Sequence, residues 1–458
     1  MEQNSAMEKM RRRVVVASVI GTTLEWYDFF LYGVVAALVL NKQFFPASDP
    51  FVSNMLSWGS VGIAFISRPL GGVIFGHFGD RIGRKAMLLV TLLIMGVSTV
   101  LIGCLPTYGQ IGLWAPFLLI CLRTLQGIGL GGEWGGAVLM TYEYATDKTR
   151  CFYGSLTQLG LSIGMFLASG IVGVMTFLLS NEAFMAWGWR VPFLISVIML
   201  AIGWYIRLNI METPDFQKVQ VKKEAQKHSK VPLLELFAKH RPRTIAGFFA
   251  RGIGGAGFNI MAAYSITYLT QIIKVPKEDA LLAVNIGTIF LTVMVPLAGW
   301  LGDRFGRMKV FIIGCFLEGA CGFPIFYMVN HAAGNFVIAC AGVAIYLGLI
   351  HGIISGLNPS MFSSLFPVHV RYTGISFTFQ MASMVFSGGT PMIALYLVKL
   401  NDNQPWLLCT YMLIVGLLSA SAAIWIKRDQ DREERAAALT APVNEVGVSA
   451  HGNAIKPA

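Results

Sequence analysis

Gly79-Asp80-Arg81-Ile82-Gly83-Arg84-Lys85 returns 223 residues later as Gly302-Asp303-Arg304-Phe305-Gly306-Arg307-Met308-Lys309. A second pair keeps nearly the same spacing: Arg150-Cys151-Phe152-Tyr153-Gly154 and Arg371-Tyr372-Thr373-Gly374 lie 221 residues apart. Two different motifs at almost one offset indicate that a unit of half the chain was duplicated. Glycines in such a turn let the backbone reverse sharply, and an Asp beside them is suited to a helix N-terminus.

Between these turns the chain is almost free of charge. Its 458 residues are 55% hydrophobic and 13% charged, with a mean hydropathy of +0.63, whereas soluble domains carry about 25% charged residues. Apolar runs lie near 14–40, 52–75, 86–105, 113–142, 152–179, 187–207, 243–271, 281–300, 309–329, 335–358, 373–398 and 406–426. Each is close to the roughly 20 residues that cross a bilayer core as a helix. The expected fold is all-α and integral to the membrane, with 12 transmembrane helices in two six-helix bundles. The expected division is 1–207 for the first bundle, 208–242 for a linker, 243–427 for the second bundle and 428–458 for a disordered tail. The first run follows Arg11, Arg12 and Arg13 but has no small-residue cleavage site, so it reads as a retained helix rather than a signal peptide.

Sorting the 35 Lys and Arg by loop puts 27 in the two tails and alternate loops, four (Lys42, Lys274, Lys277, Lys399) in the other loops and four within runs. The positive-inside rule makes the richer side cytoplasmic, with both termini on it. The net charge of +11 is therefore a topology signal and not a nucleic-acid footprint. The lysines of the linker suit an amphipathic segment against anionic lipid heads.

Catalytic chemistry finds no support. Seven scattered Cys without a CxxC pattern argue against disulfides and zinc, and no other metal site is expected. Gly127-Ile128-Gly129-Leu130-Gly131-Gly132 and Gly252-Ile253-Gly254-Gly255-Ala256-Gly257 spell GxGxxG, but both lie in apolar runs and neither follows a strand. No Walker A pattern and no nucleophile–base set is present, so the chain is read as a non-enzyme without a cofactor and without an ATPase of its own.

A charge at mid-bilayer is costly and usually functional. Glu25 and Asp28 share a helix face at i and i+3. Asp28 lies roughly 18 Å along its helix from Leu40, and Arg123 roughly 15 Å from Leu113, at 1.5 Å per residue, so the two can meet at similar depth. Glu133 sits among GxxxG pairs (Gly131/Gly135, Gly132/Gly136) whose plainer reading is close helix packing. Glu318 and Arg251 are lone charges; Arg251 can meet a substrate carboxylate or snorkel to the interface. Arg190 reads as interfacial and Arg68 as structural.

At its repeated turn the chain resembles the major facilitator superfamily, whose loop motif is G-x-x-x-D-R-x-G-R-[KR]; the second copy is looser by the insertion of Met308. Further stretches resemble its metabolite:proton symporter family. These are Glu25-Trp26-Tyr27-Asp28-Phe29-Phe30-Leu31-Tyr32-Gly33, Arg68-Pro69-Leu70-Gly71, Arg123-x-x-Gln126-Gly127, Gly131-Gly132-Glu133-Trp134-Gly135-Gly136 and Trp187-Gly188-Trp189-Arg190-Val191-Pro192-Phe193. The resemblance implies a bacterial inner-membrane carrier, monomeric, that imports a small organic acid or zwitterion with protons. An exporter of drugs or metabolites on the same fold is the alternative. It lacks the Gly-Pro signature usual in span five of such exporters.

The resemblance also assigns roles. Related sugar:proton symporters pair an Asp of span one with an Arg of span four, which implies proton coupling at Asp28 and Arg123, with Glu25 beside them. Tyr27, Tyr32, Gln126, Glu133, Gln158 and Arg251 are candidate substrate contacts. Glu143 and Arg150 resemble the E-x6-R gate of sugar porters, and Glu212 in Met211-Glu212-Thr213-Pro214 its companion. Gly79, Asp80, Arg81, Gly83, Arg84, Gly302, Asp303, Arg304, Gly306, Arg307 and Arg371 complete the gate motifs. In the second half the position matching Glu143 is Ser364, so the symmetric gate is expected to lack an acid.

Overall fold

The structure, a computed structural model, describes residues 2–46, 50–208, 232–332 and 335–440. Among these there are helices and turns but no strand. That is what the bilayer requires of a spanning segment, which must satisfy its own backbone N–H and C=O groups. Among the described residues eleven helices are long and apolar enough to cross a membrane. At the place of the predicted seventh span, Arg241–Ala250 and Gly252–Asn259 flank a turn at Arg251, and Ile260–Tyr264 and Ser265–Gln271 continue it. Glycines, Asn259 and four Ser or Thr residues make this segment less apolar than the rest. Segments are numbered below by the predicted spans they occupy.

Four segments carry a π-helical turn: Ala36–Leu40 in segment 1, Ile260–Tyr264 in segment 7, Ala344–Ile350 in segment 10 and Met384–Gly388 in segment 11. Each inserts a residue into the α register and rotates the side chains beyond it, a device frequent at functional sites.

The repeated turns show why their glycines are needed. Gly83 and Gly306 have φ of 126° and 93°, where a side chain would be strained. They close the reversals after Pro50–Ile82 (segment 2) and Lys277–Phe305 (segment 8). Of Asp80, Arg81 and Arg84 only the backbone is described, and Glu212 lies outside the described residues.

Segment 4, Trp114–Tyr144, is the most glycine-dependent. A Cβ on Gly131 would stand 2.6 Å from the Gly72 nitrogen, and one on Gly136 2.8 Å from Leu88 Cδ2 and 3.0 Å from the Tyr372 hydroxyl. These glycines bring segments 2, 3 (Arg84–Cys104) and 11 (Arg371–Ser383 onward) against one helix. The packing reading of the GxxxG pairs therefore holds.

The N-terminal and C-terminal halves meet along segments 2 and 11 and along segments 5 (Arg150–Leu156 and Leu159–Leu178) and 8. Small residues again set the distance: a Cβ on Gly76 would stand 2.8 Å from Thr373 Cα, and one on Gly299 2.8 Å from the Cys151 carbonyl. Both contacts lie at the end that bears the Lys- and Arg-rich loops.

The tail differs from expectation. The last helix runs Trp406–Thr440, so 428–440 is helical rather than disordered; 441–458 lies outside the described residues. Tertiary contacts explain the extension. Arg243 pairs with Asp429 at 2.8 Å and with Glu433, Gln430 Nε2 donates to the Ser364 carbonyl at 3.2 Å, and the alanines of 436–438 favour helix.

Candidate functional site

Two neighbouring spaces open inside the molecule. The first, about 300 Å³, lies within the N-terminal half and is lined by Glu25, Asp28, Glu133 and Ser196 with apolar neighbours. The second, about 610 Å³, lies between the halves and is lined from segments 1, 2, 4 and 5 on one side and 7, 10 and 11 on the other. Glu25 lines both. Among the predicted acids it alone lines both spaces.

In the first space Asp28 is buried and accepts a 2.9 Å hydrogen bond from Ser196 Oγ. Glu133, fully buried, accepts one from Thr91 Oγ1 at 2.7 Å. The expected Asp28–Arg123 ion pair is not formed. Arg123 lies over the Tyr32 ring at 3.7 Å and donates from Nη1 to Gln126 Oε1 at 2.7 Å. Gln126 Nε2 in turn donates to Thr99 Oγ1 at 2.7 Å. Gln126 is three residues from Arg123 on the same helix face, so it captures the guanidinium before Asp28 can. Gln126 and Thr99 thus hold the guanidinium, and Thr99 Oγ1 donates onward to the Met95 carbonyl at 3.0 Å.

This arrangement places Tyr27, Tyr32 and Gln126 outside the central space. Tyr27 donates to the Pro192 carbonyl at 2.9 Å, and the Tyr32 hydroxyl meets Ser60 Oγ at 2.6 Å. Both phenols serve contacts within the N-terminal half. Glu133 borders only the inner space.

The central space keeps Gln158 and Arg251 from the predicted set. Gln158 accepts from Trp134 Nε1 at 2.9 Å and donates to Ser355 Oγ at 3.4 Å, so it spans the two halves. Arg251 is fixed over the Phe379 ring at 4.7 Å, and Phe379 stacks on Trp134 at 3.6 Å. The turn between its two helices puts the side chain into the space instead of toward the interface.

Arg68, expected to be structural, is the other cation here. It lies over the rings of Phe65 and Phe29 at 4.2 and 4.7 Å. Nε and Nη2 of Arg68, and Nε and Nη1 of Arg251, are buried without a hydrogen-bond partner among the described residues. So are Asn358 Oδ1 and Gln380 Oε1 on the same wall. A buried unsatisfied donor costs about 1–3 kcal/mol, more when charged, so the two guanidinium groups favour an anionic guest with acceptor oxygens, while the two amide oxygens call for a donor such as a hydroxyl. An arginine within an apolar run was visible in the sequence. That Trp134, Phe379, Asn358 and Gln380 would join it was not, because they come from helices far apart in the chain.

The gate also differs from expectation. Glu143 pairs with Arg371 of the other half at 3.1 Å, while Arg150 pairs with Asp147 at 2.7 Å and lies over the Tyr142 ring at 5.1 Å. The turn that ends segment 4 at Tyr144 carries Asp147 to Arg150, three residues away, and leaves Glu143 facing segment 11. Arg371 therefore takes its acid from the opposite half, and Ser364 instead receives Gln430. Asp303 accepts from the Cys151 and Phe152 backbone N–H groups, both at 2.9 Å. Arg307 reaches the Tyr142 hydroxyl at 3.5 Å, the Tyr372 hydroxyl donates to the Gly132 carbonyl at 2.7 Å, and Arg304 stacks on Trp300 and Phe305. All join the halves at one end except Arg304, which faces its own helix. Arg190 donates to the Gly103 and Leu105 carbonyls and so caps segment 3.

The family model described as Major Facilitator Superfamily matches residues 18–391. The chain is 42% identical over 401 residues to the inner membrane metabolite transport protein YhjE of Escherichia coli, covering 86% of this chain and 90% of that one. It is 36% identical to the shikimate transporter of the same organism, covering 92% and 95%. It is 32% identical to the proline/betaine transporter of Salmonella typhimurium, covering 93% and 85%. Among solved structures, the proton:xylose symporter XylE bound to 6-bromo-6-deoxy-D-glucose superposes with a TM-score of 0.77 at 17% identity, covering 92% of this chain and 96% of that one.

Proposed function

The chain belongs to the major facilitator superfamily, as a transporter and not an enzyme, and from that premise we propose that it imports a small carboxylate-bearing metabolite together with protons across the bacterial inner membrane. The observation that carries this reading is the pair of arginines, one from each half, with unsatisfied guanidinium N–H groups around one central space. A carboxylate satisfies both at once, and bridging the halves gives it a stronger interaction in the occluded state than in either open one. Trp26, Phe29, Phe65 and Phe258 supply the apolar wall for the remainder of the molecule. Glu25 connects this space to Asp28 and Glu133, which makes the inner acids the natural path for the coupled proton. The chain acts through two rocking bundles, residues 1–207 and 243–427, with the Lys- and Arg-rich end in the cytoplasm. The relatives named for shikimate and for proline and betaine support a small acid or zwitterion as cargo.

Reconstituted protein in proteoliposomes is tested with labelled shikimate, 2-oxoglutarate, citrate, proline and betaine, with and without an inward proton gradient. Accumulation of one carboxylate driven by the gradient is expected. Its affinity should fall roughly 10- to 150-fold in Arg68→Gln and Arg251→Gln, the worth of a charge-assisted hydrogen bond. Release of preloaded substrate under the same gradient would make the protein an exporter, and indifference to every compound would remove the substrate class.

A further inference from the structure

The GxGxxG of segment 7 lies in a membrane-spanning segment, and its glycines bed two opposite charges. Arg251 Nη1 runs along Gly254 and Gly255, where a Cβ would stand 3.0 and 3.4 Å away. One helical turn further, the Glu318 carboxyl of segment 9 lies against Gly257, whose Cβ would stand 3.0 Å from its Cδ. Three residues along a helix is roughly 4.5 Å, so a carboxylate in the C-terminal half sits beside the arginine of the central space. Glu318 is fully buried, and its Oε1 meets His351 Nδ1 at 2.8 Å. His351, from the end of the π turn in segment 10, lines the central space. Glu318 Oε2 has no partner among the described residues.

We infer that the Glu318–His351 pair is a second proton-binding site, placed in the C-terminal half, which sets the carboxylate affinity of Arg251. The inference rests on the reading of the central space as a carboxylate site. Its logic is charge balance. With a neutral imidazole and an ionised Glu318 the pair carries −1 and offsets part of the Arg251 charge without a direct ion pair between them. One proton added to the pair brings it to zero, and Arg251 is left to attract the substrate carboxylate. Proton and substrate then favour each other's binding, reciprocally and by the same factor. The groups facing the pair fit this role. Segment 7 presents Arg251, segment 10 adds the neutral phenol of Tyr346, which donates to the Glu318 carbonyl at 2.9 Å, and segment 9 itself adds the thiol of Cys315. Segment 12 packs Met412 and Gly416 against Gly319 and brings the thiol of Cys409 near Tyr346. Across the space stand Arg68 and Glu25.

Two measurements test it. Infrared difference titration of the purified full chain should show a carboxyl–imidazole signal that titrates in wild type and is absent in Glu318→Gln; identical spectra in the two would overturn the proton site whatever the substrate. In proteoliposomes with the carboxylate that wild type accumulates, wild-type affinity should weaken as pH rises, roughly 5- to 150-fold between the protonated and deprotonated limits. Glu318→Gln, which fixes the pair near neutral, should hold the high affinity at every pH and retain substrate exchange. His351→Gln should change the pH profile in its turn. A wild-type pH profile in Glu318→Gln overturns the link to Arg251. If wild type takes up none of the carboxylates, the carboxylate reading and the link to Arg251 fail together, while the infrared titration still decides the proton site.

Discussion

The ion pair that closes the Lys- and Arg-rich end gives the sharpest prediction. Glu143 is buried, and Arg371, largely buried, meets it at 3.1 Å from the other half. At an effective dielectric of about 20 the pair attracts by about 5 kcal/mol. Replacing Glu143 with Gln keeps a neutral hydrogen bond and loses the charge assistance, so about 2 kcal/mol is a reasonable net loss. Because the pair spans the halves, that loss falls on the closed state and leaves the state open at this end untouched. The equilibrium should shift about 30-fold toward opening, at 1.4 kcal/mol per factor of ten. Cys151 is a native reporter: buried at the same seam, it would lie with Sγ 3.4 Å from a Cβ on Gly302. Its alkylation by a maleimide, read site by site by peptide mass spectrometry, should rise about 30-fold in Glu143→Gln. Cys315, buried within segment 9 away from the seam, should not respond, which separates opening from loss of fold. Arg371→Gln should act alike, and the double variant should fall short of the sum of the singles. Unchanged Cys151 labelling in both well-folded single variants would refute the claim that this pair holds the closure.

Arg150→Gln should move Cys151 labelling less than about fivefold, because its partner Asp147 is exposed and such pairs contribute about 0–1 kcal/mol. Asp303→Asn removes a charged acceptor from two backbone N–H groups and should raise Cys151 labelling by about tenfold or more, from about 1.5–3 kcal/mol per charged hydrogen bond. In Asp28→Asn, pH-driven accumulation should be lost while substrate exchange persists; undiminished accumulation would take Asp28 out of proton coupling. Gly131→Ala, with no room between segments 4 and 2, should cost about 1–3 kcal/mol of stability by overpacking. Gly170→Ala, where a Cβ would meet nothing within 4 Å, should leave the thermal midpoint unchanged.

Much of the fold was legible because its cause is local. A run of apolar residues without charge has one viable structure in a bilayer, and the sequence holds twelve nearly charge-free runs. The seventh was the faintest, since the glycines and polar residues that bed Arg251 and Glu318 lower its hydropathy. The end of the last helix was misjudged, since Asp429 and Glu433 look like a solvated tail until Arg243 stands beside them. At the site, Glu25, Asp28, Glu133 and Arg251 were found because an intramembrane charge is conspicuous by itself. Arg68 lines the central space, and nothing in Arg-Pro-Leu-Gly says which way its helix faces.

The repeated turn shows both sides of this division. Its glycines could be read from the sequence, since Gly83 and Gly306 sit where only a residue without Cβ is comfortable, and backbone strain is a property of one residue. The partners of its charges could not. Periodicity tells which face a side chain occupies, not which helix lies opposite, so Glu143 was matched to Arg150 seven residues away, whereas it meets Arg371, 228 residues away. Asp28 was matched to Arg123 by depth, and Gln126 stood between them. An ion pair is decided by a few ångströms in three dimensions, and only the packing of the two halves supplies those.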